Sequence, residues 1–213
     1  MMMLKTKPFE KHALEYDKWF EKYPYVFESE VAALRDALPY GDLHGIEVGL
    51  GTGRFSNALG IKEGVEPAEA MREIALSRGI DVFAASAEHL PYKDLRFDFV
   101  LMTSCINYFN KLNPAFREAN RVLKPGGTLI VGCIDKFSTI GKLYEAKRPE
   151  SIFYKQAIFY PVDKVAKEIH KEGFNKPEFT QTLFENLDKI KEFEPAKPGY
   201  GEGSFVIIKA IKK

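Results

Sequence analysis

The sequence predicts a doubly wound α/β fold: a mostly parallel sheet of about seven strands, an antiparallel strand at the C-terminal end, and a helical N-terminal arm. Three observations lead there. From Leu43 onward, short apolar runs alternate with amphipathic stretches, which is the rhythm of right-handed βαβ crossovers. The first run, Gly45 to Gly49, leads straight into a glycine-rich loop followed by a helix-forming segment. The C-terminal third then abandons the alternation for two strand-like runs joined by a long excursion, which suits an antiparallel pair with one member at the sheet edge.

Taken in order, Phe9 to Leu38 reads as helical, because Phe20, Phe27, Val31 and Leu34 recur at helical spacing, with Pro24 as a break. Pro39 to Asp42 ends this arm. The strand-like runs are Gly45 to Gly49, Ile61 to Glu66, Asp81 to Ala85, Phe97 to Thr103 and Thr128 to Ile134. Helix-like segments at Arg54 to Leu59, Ala68 to Arg78 and Pro114 to Leu123 lie between them. Lys124-Pro125-Gly126-Gly127 reads as a turn, since proline stops the helix and glycine permits positive φ. Pro161 to Lys171 is a predicted helix, and Phe174 to Phe184 and Ser204 to Ile211 are predicted strands around the excursion Glu185 to Gly203. The length of 213 residues suits one domain, comprising arm 1–40, ligand-binding core 43–134, lid-like insertion 135–160, and C-terminal helix and strand pair 161–213.

Composition excludes some partners. The 31 basic and 30 acidic side chains leave a net charge of +1, without the basic excess of a nucleic-acid binder. No apolar run approaches a membrane span, and Met1 to Phe9 has no signal-peptide h-region. Cys105 and Cys133 lie in apolar runs, as buried reduced thiols do, so a cytoplasmic location is expected, with a disulfide between neighbouring strands as the lesser alternative. The four histidines show no metal spacing, and no metal is expected.

The chemistry concentrates at Ile46-Glu47-Val48-Gly49-Leu50-Gly51-Thr52-Gly53-Arg54. Ligands of open α/β sheets bind at the carboxyl ends of the strands, and glycine there lets a ligand approach the backbone. A dinucleotide fingerprint would be G-x-G-x-x-G; here the spacing is G-x-G-x-G, and Arg54 stands where the third glycine would be. Glu47 precedes the loop and would repel a pyrophosphate but favour the α-ammonium of a cationic nucleoside. Glu66 closes the second run ahead of Pro67, where a carboxylate can accept from both hydroxyls of a ribose or favour the N-terminus of the helix that follows.

Glu47-x-Gly49-x-Gly51-x-Gly53 with Glu66 resembles motifs I and II of the class I S-adenosylmethionine (SAM)-dependent methyltransferases. Ala85-Ser86-Ala87-Glu88-His89-Leu90-Pro91-Tyr92, Phe97-Asp98-Phe99-Val100-Leu101 and Leu123-Lys124-Pro125-Gly126-Gly127-Thr128-Leu129 resemble later segments of the same superfamily, in the same order, over roughly residues 43–134. The pattern is similar to the ubiquinone/menaquinone biosynthesis methyltransferases, whose "Y-D-x-W-F" resembles Tyr16-Asp17-Lys18-Trp19-Phe20 in the arm.

The resemblance implies a Rossmann-like fold, SAM as cofactor, and a set of roles. Gly49, Gly51 and Gly53 would pack against the methionyl part and ribose, and Glu47 would face the ammonium. Glu66, next to Pro67, would bind the ribose hydroxyls. Ser86 and Ala87 would lie beside the adenine, Ser104 would line the methionyl channel by its backbone, and Tyr16 would cover the sulfonium. The family often has Asp where this chain has Ser86, which has a shorter reach.

No catalytic residue is assigned, since in-line methyl transfer needs alignment and dryness more than acid–base groups. Base-modifying N-methyltransferases usually carry N/D-P-P-Y/F after the fourth strand; Thr103-Ser104-Cys105-Ile106-Asn107-Tyr108 stands there instead. The expected acceptor is therefore a small organic molecule with an O, N or C nucleophile, an amine or a phenol/quinol among them. Asn107 and Tyr108 fall where it would lie, although a packing role in the loop is the preferred reading. The aromatic-rich stretch Asp135 to Tyr160 would both cover the acceptor pocket and complete the core, and Glu185 to Tyr200 reads as a flexible loop. A non-catalytic SAM-binding protein, or an NAD-dependent oxidoreductase, are the alternatives.

Overall fold

A computed structural model describes residues 2–213, with side chains from Lys5 onward; Met1, the first residue of the expected arm, lies outside the described residues. The arm forms three helices, α1 (Met2–Lys11), α2 (Ala13–Lys22) and α3 (Pro24–Ala37). It therefore breaks at His12 as well as at the expected Pro24, which takes the first turn of α3, where its missing N–H costs nothing.

The sheet follows as β1 (Gly45–Val48), β2 (Glu63–Val65), β3 (Asp81–Phe83), β4 (Phe97–Thr103), β5 (Leu123–Ile134), β6 (Glu178–Thr182), β7 (Lys197–Pro198) and β8 (Phe205–Ile211). Its order is β3-β2-β1-β4-β5-β8-β6-β7. The first five strands pair parallel; β8 runs antiparallel between β5 and β6. Strand order reverses between β1 and β4, so the glycine loop after β1 opens at the switch point.

Both faces of the sheet are covered. Along β4, Phe97, Val100 and Met102 join one hydrophobic cluster, and Phe99 and Leu101 join the other. Period-2 alternation divides β8 in the same way: Val206, Ile208 and Ala210 against Phe205 and Ile207. Helices α6 (Leu112–Val122) and α8 (Val162–Lys171) cover the first face through residues such as Phe116 and Val165. The second carries α3, α4 (Arg54–Leu59) and α7 (Thr139–Lys147), through Leu34, Phe55 and Ile140. Helix α5 (Glu69–Ser77) packs beside β3.

Two local expectations change. Lys124 to Gly127 is not a turn between elements but a bulge within β5: Leu123 pairs with Phe97 and Thr128 with Phe99, so the four residues 124–127 oppose Asp98 alone. The excursion after β6 is tied down, because Glu194 accepts from the Thr182 hydroxyl and the Phe184 N–H, and donates its own N–H to Ser29. It also supplies β7, so β6 is not the edge strand; the edge is a two-residue ladder containing Pro198.

Candidate functional site

The β1 strand delivers its loop to the switch point with Gly49, Gly51 and Gly53 all in the left-handed region, at φ +72°, +58° and +79°. The three do different work. A Cβ on Gly49 would sit 2.7 Å from the Cys105 Cβ, so this glycine allows β1 and the segment after β4 to close up. A Cβ on Gly51 would meet the Tyr16 ring at 3.5 Å. On Gly53 it would collide with Ile80 at 2.5 Å, which makes Gly53 a packing glycine.

Glu66 is bound to the loop across the strand tips. One carboxylate oxygen accepts from the Gly51 N–H at 3.0 Å and the other from the Ala68 N–H at 2.9 Å. Burial pushes its pKa up to about 7, against those two backbone bonds. Glu47 is buried behind the loop, 2.5 Å from the Ser56 hydroxyl of α4, and burial pushes its pKa up to about 8 against that hydrogen bond.

A single cavity of about 220 Å³ opens here. Tyr16, Gly49, Gly51, Glu66, Pro67, Ser86, Ala87 and Ser104 line it. Glu47 and Gly53 do not: the carboxyl of Glu47 is turned to Ser56, and Gly53 faces α5 and Ile80. Ser104 holds a left-handed φ of 53°, unusual for serine, and its N–H is spent on the Gly132 carbonyl, leaving its carbonyl and hydroxyl for a ligand.

The arm closes the cavity and is pinned at three points. Lys5 donates to the Phe109 carbonyl. Glu10 accepts from the Glu69 and Ala70 N–H groups at the start of α5. Asp17 accepts from Arg54, Arg78 and the Thr52 hydroxyl. Burial opposes its ionisation, but these three partners hold its pKa down to about 2. Arg54, the residue that spoiled the dinucleotide spacing, thus joins the loop to the arm.

Beyond Tyr16 the cavity continues into a second lobe, lined in part by aromatics of the insertion expected to cover it. Its walls are aromatic: Phe20 from α2, Tyr144 from α7, and Tyr154 and Phe159 beyond it. Tyr144, Tyr154 and Phe159 form a mutual ring contact, with centroids 4.6–5.9 Å apart. Glu30 of α3 lines this lobe, 5% exposed, with burial alone pushing its pKa up to about 8. The signal was present: Val26, Glu30, Ala33 and Ala37 share one helical face, and all are buried. Asn107 and Tyr108 also line the cavity. Among the described residues, the buried side-chain polar atoms without a hydrogen bond are Thr103 Oγ1 and Asn107 Oδ1, and both residues are in the lining.

Residues 46–131 match the family described as "Methyltransferase domain". An uncharacterized protein of Methanocaldococcus jannaschii is 44% identical over 204 residues, 96% of this chain and 98% of its own. A SAM-dependent methyltransferase of Thermotoga maritima, described as a possible histamine N-methyltransferase, superposes with a TM-score of 0.94 at 43% identity, covering 97% of this chain and 99% of that one. The chain belongs to the class I SAM-dependent methyltransferases. The ubiquinone/menaquinone biosynthesis C-methyltransferase of Vibrio vulnificus is a more distant member, 30% identical over 118 residues, 47% of this chain and 45% of its own.

The methyltransferase site fits SAM by its own geometry. The glycine loop leaves open backbone, and Glu66 keeps lone pairs free on both oxygens for hydroxyl donors. Glu66 and Glu47 suit a positively charged nucleoside, and Arg72, the guanidinium close enough to lower the Glu66 pKa, is turned to the Glu66 and Pro67 carbonyls.

Proposed function

We propose that this methyltransferase transfers the SAM methyl to a small organic acceptor held in the aromatic lobe. The observation that carries the reading is the continuity of one cavity, from Gly49, Gly51 and Glu66 at the strand tips to the aromatic walls supplied by α2, α7 and the 135–160 insertion. A nucleoside site alone would not need the second lobe.

In this reading Glu66 accepts from the ribose hydroxyls, with Pro67 beside it. Gly49 and Gly51 let the cofactor approach, Ser86 and Ala87 flank the adenine, Ser104 borders the methionyl part, and Tyr16 covers the sulfonium. Glu47 acts on the ammonium through its field from behind the loop. SAM supplies an electrophilic methyl on a cationic sulfur that leaves as a neutral thioether. The protein's share is alignment and exclusion of water, which the pinned arm and the ring-lined insertion provide. Burial raises the Tyr16 phenol far above its ordinary value, so it stays a neutral O–H. The two buried, unpaired thiols support a cytoplasmic location.

Calorimetry with S-adenosylhomocysteine (SAH), followed by incubation of labelled SAM with a pool of small amines, phenols and quinols, tests the reading. Saturable SAH binding with label in at least one acceptor is expected. SAH binding with no label across the whole pool would make this a SAM-binding protein without transferase activity.

A further inference from the structure

Resting on that reading, we infer that the methyl acceptor is a small amine bound as a cation, its ammonium seated on the Glu30 carboxylate among Tyr16, Tyr144 and Tyr154. Three features of the lobe lead to this class of molecule.

The first is the carboxyl itself. Glu30 is 5% exposed, lines the cavity, and makes no hydrogen bond or ion pair with any described residue. Its oxygens are not among the fully buried atoms without a partner, so they are open to the cavity, and whatever fills the cavity must supply their hydrogen bonds. Its removal by an apolar residue would relieve the helix, so its presence on the buried face of α3 calls for a ligand that supplies the missing charge.

The second is donor and acceptor balance. The Asn107 Oδ1 is an acceptor without a donor, and the Glu30 carboxyl accepts from no protein group, so these two groups of the lining await a ligand that donates. A molecule rich in N–H donors satisfies both. The basic side chain in the described lining is Lys5, and its Nζ is spent on the Phe109 carbonyl at 2.7 Å. A phosphate or carboxylate would thus meet Glu30 and Glu66 with little to oppose them.

The third is the walls. Glu30 shares the cavity wall with Tyr16, Tyr144 and Tyr154, and burial, the main cause, raises all three phenols, with the Glu30 charge a smaller contribution in the same direction. Aromatic faces around a carboxylate attract a cation through their quadrupoles and exclude an anion. A neutral quinol would gain the aromatic contact but leave the buried carboxyl unmatched.

The test uses the intact chain and Glu30→Gln. Phenethylamine, tyramine and histamine are titrated into free and SAH-saturated protein, beside phenethyl alcohol and 3-phenylpropionate as neutral and anionic counterparts. SAH is titrated separately into both proteins. At least one amine is expected to bind tenfold or more tightly than the alcohol and the acid. Glu30→Gln should abolish that preference, keep SAH affinity within about twofold, and melt no lower than the parent. Equal binding of amine and alcohol, no amine binding, an amine preference that survives Glu30→Gln, or an equal loss of SAH affinity would each overturn the assignment. An amine preference in a protein that ignores SAH would sink the cofactor reading and leave the amine site standing.

Discussion

The two ends of the cavity are made of different material. At the strand tips the surface is backbone: left-handed glycines, the Ser104 carbonyl, and a carboxylate fixed by two main-chain N–H groups. Under the arm it is side chain, contributed by helices far apart in sequence and by rings that touch one another. A backbone-built site has one geometry and tolerates few residues. A side-chain-built site can be re-lined without moving the fold, which is why one half of such an enzyme can hold a fixed cofactor while the other varies its acceptor.

The sharpest way to break this contrast is Glu66→Ala. It removes a charged acceptor from Gly51 and Ala68 as well as from any ribose, and each charge-assisted bond is worth about 1.5–3 kcal/mol. SAH affinity should fall roughly 10- to 100-fold by calorimetry; an unchanged affinity would show that the strand tips do not form the nucleoside end. Next comes Gly49→Ala, which forces an alanine to φ +72° and drives its Cβ to 2.7 Å from Cys105. A loss of about 2–4 kcal/mol, seen as a melting point lower by roughly 4–16 °C, is expected. A smaller effect attaches to Asp17→Ala, which frees Arg54 and Arg78 from the arm. These guanidiniums are only about a fifth exposed, so a loss of about 1–3 kcal/mol is expected, together with a few-fold weaker SAH binding as Tyr16 loses its anchor. Unchanged SAH affinity in a destabilised protein would make the arm a cover for the acceptor lobe alone.

The gentlest probe is pH. Glu30 and Glu47 are raised to about 8 and Glu66 to about 7, all by burial, from 4.5. Between these limits the native chain holds protons that the unfolded chain has released, so stability declines as pH rises from about 5 to about 8. A cationic ligand needs the same groups ionised. The melting point of the free protein should therefore fall across this range, while the stabilisation by SAM should grow; the same trends for the neutral thioether SAH would point away from sulfonium charge as the cause.

The difference in material also explains what could be read from the chain. The glycine loop, Glu66 and the alternating runs were legible because left-handed backbone and buried parallel strands leave few residue choices. Eight of the ten expected cofactor residues line the cavity. Glu47 and Gly53 stand behind it because the loop has a second face, toward α4 and α5, which spacing cannot tell from the first. Glu30 escaped notice because a single acid on a helix face reads as solvated until the arm is known to fold over Tyr144 and Phe159. Asn107 read more readily as loop packing, and only its unmatched Oδ1 says otherwise. The bulge at Lys124 to Gly127 carries turn chemistry inside a strand, so local sequence described its shape correctly and its context wrongly.

The placement of β8 has a consequence for biosynthesis. It is the last strand of the sheet to be synthesised, yet it lies in the interior, zipped along β5 over seven residue pairs from Thr128 to Ile134. Until it emerges from the ribosome, β5 offers a long apolar flank with unpaired amides, open to any other nascent strand. The core therefore cannot seal along β5 until β8 has been made, and a chain cut short of Phe205 would leave that flank open to aggregation.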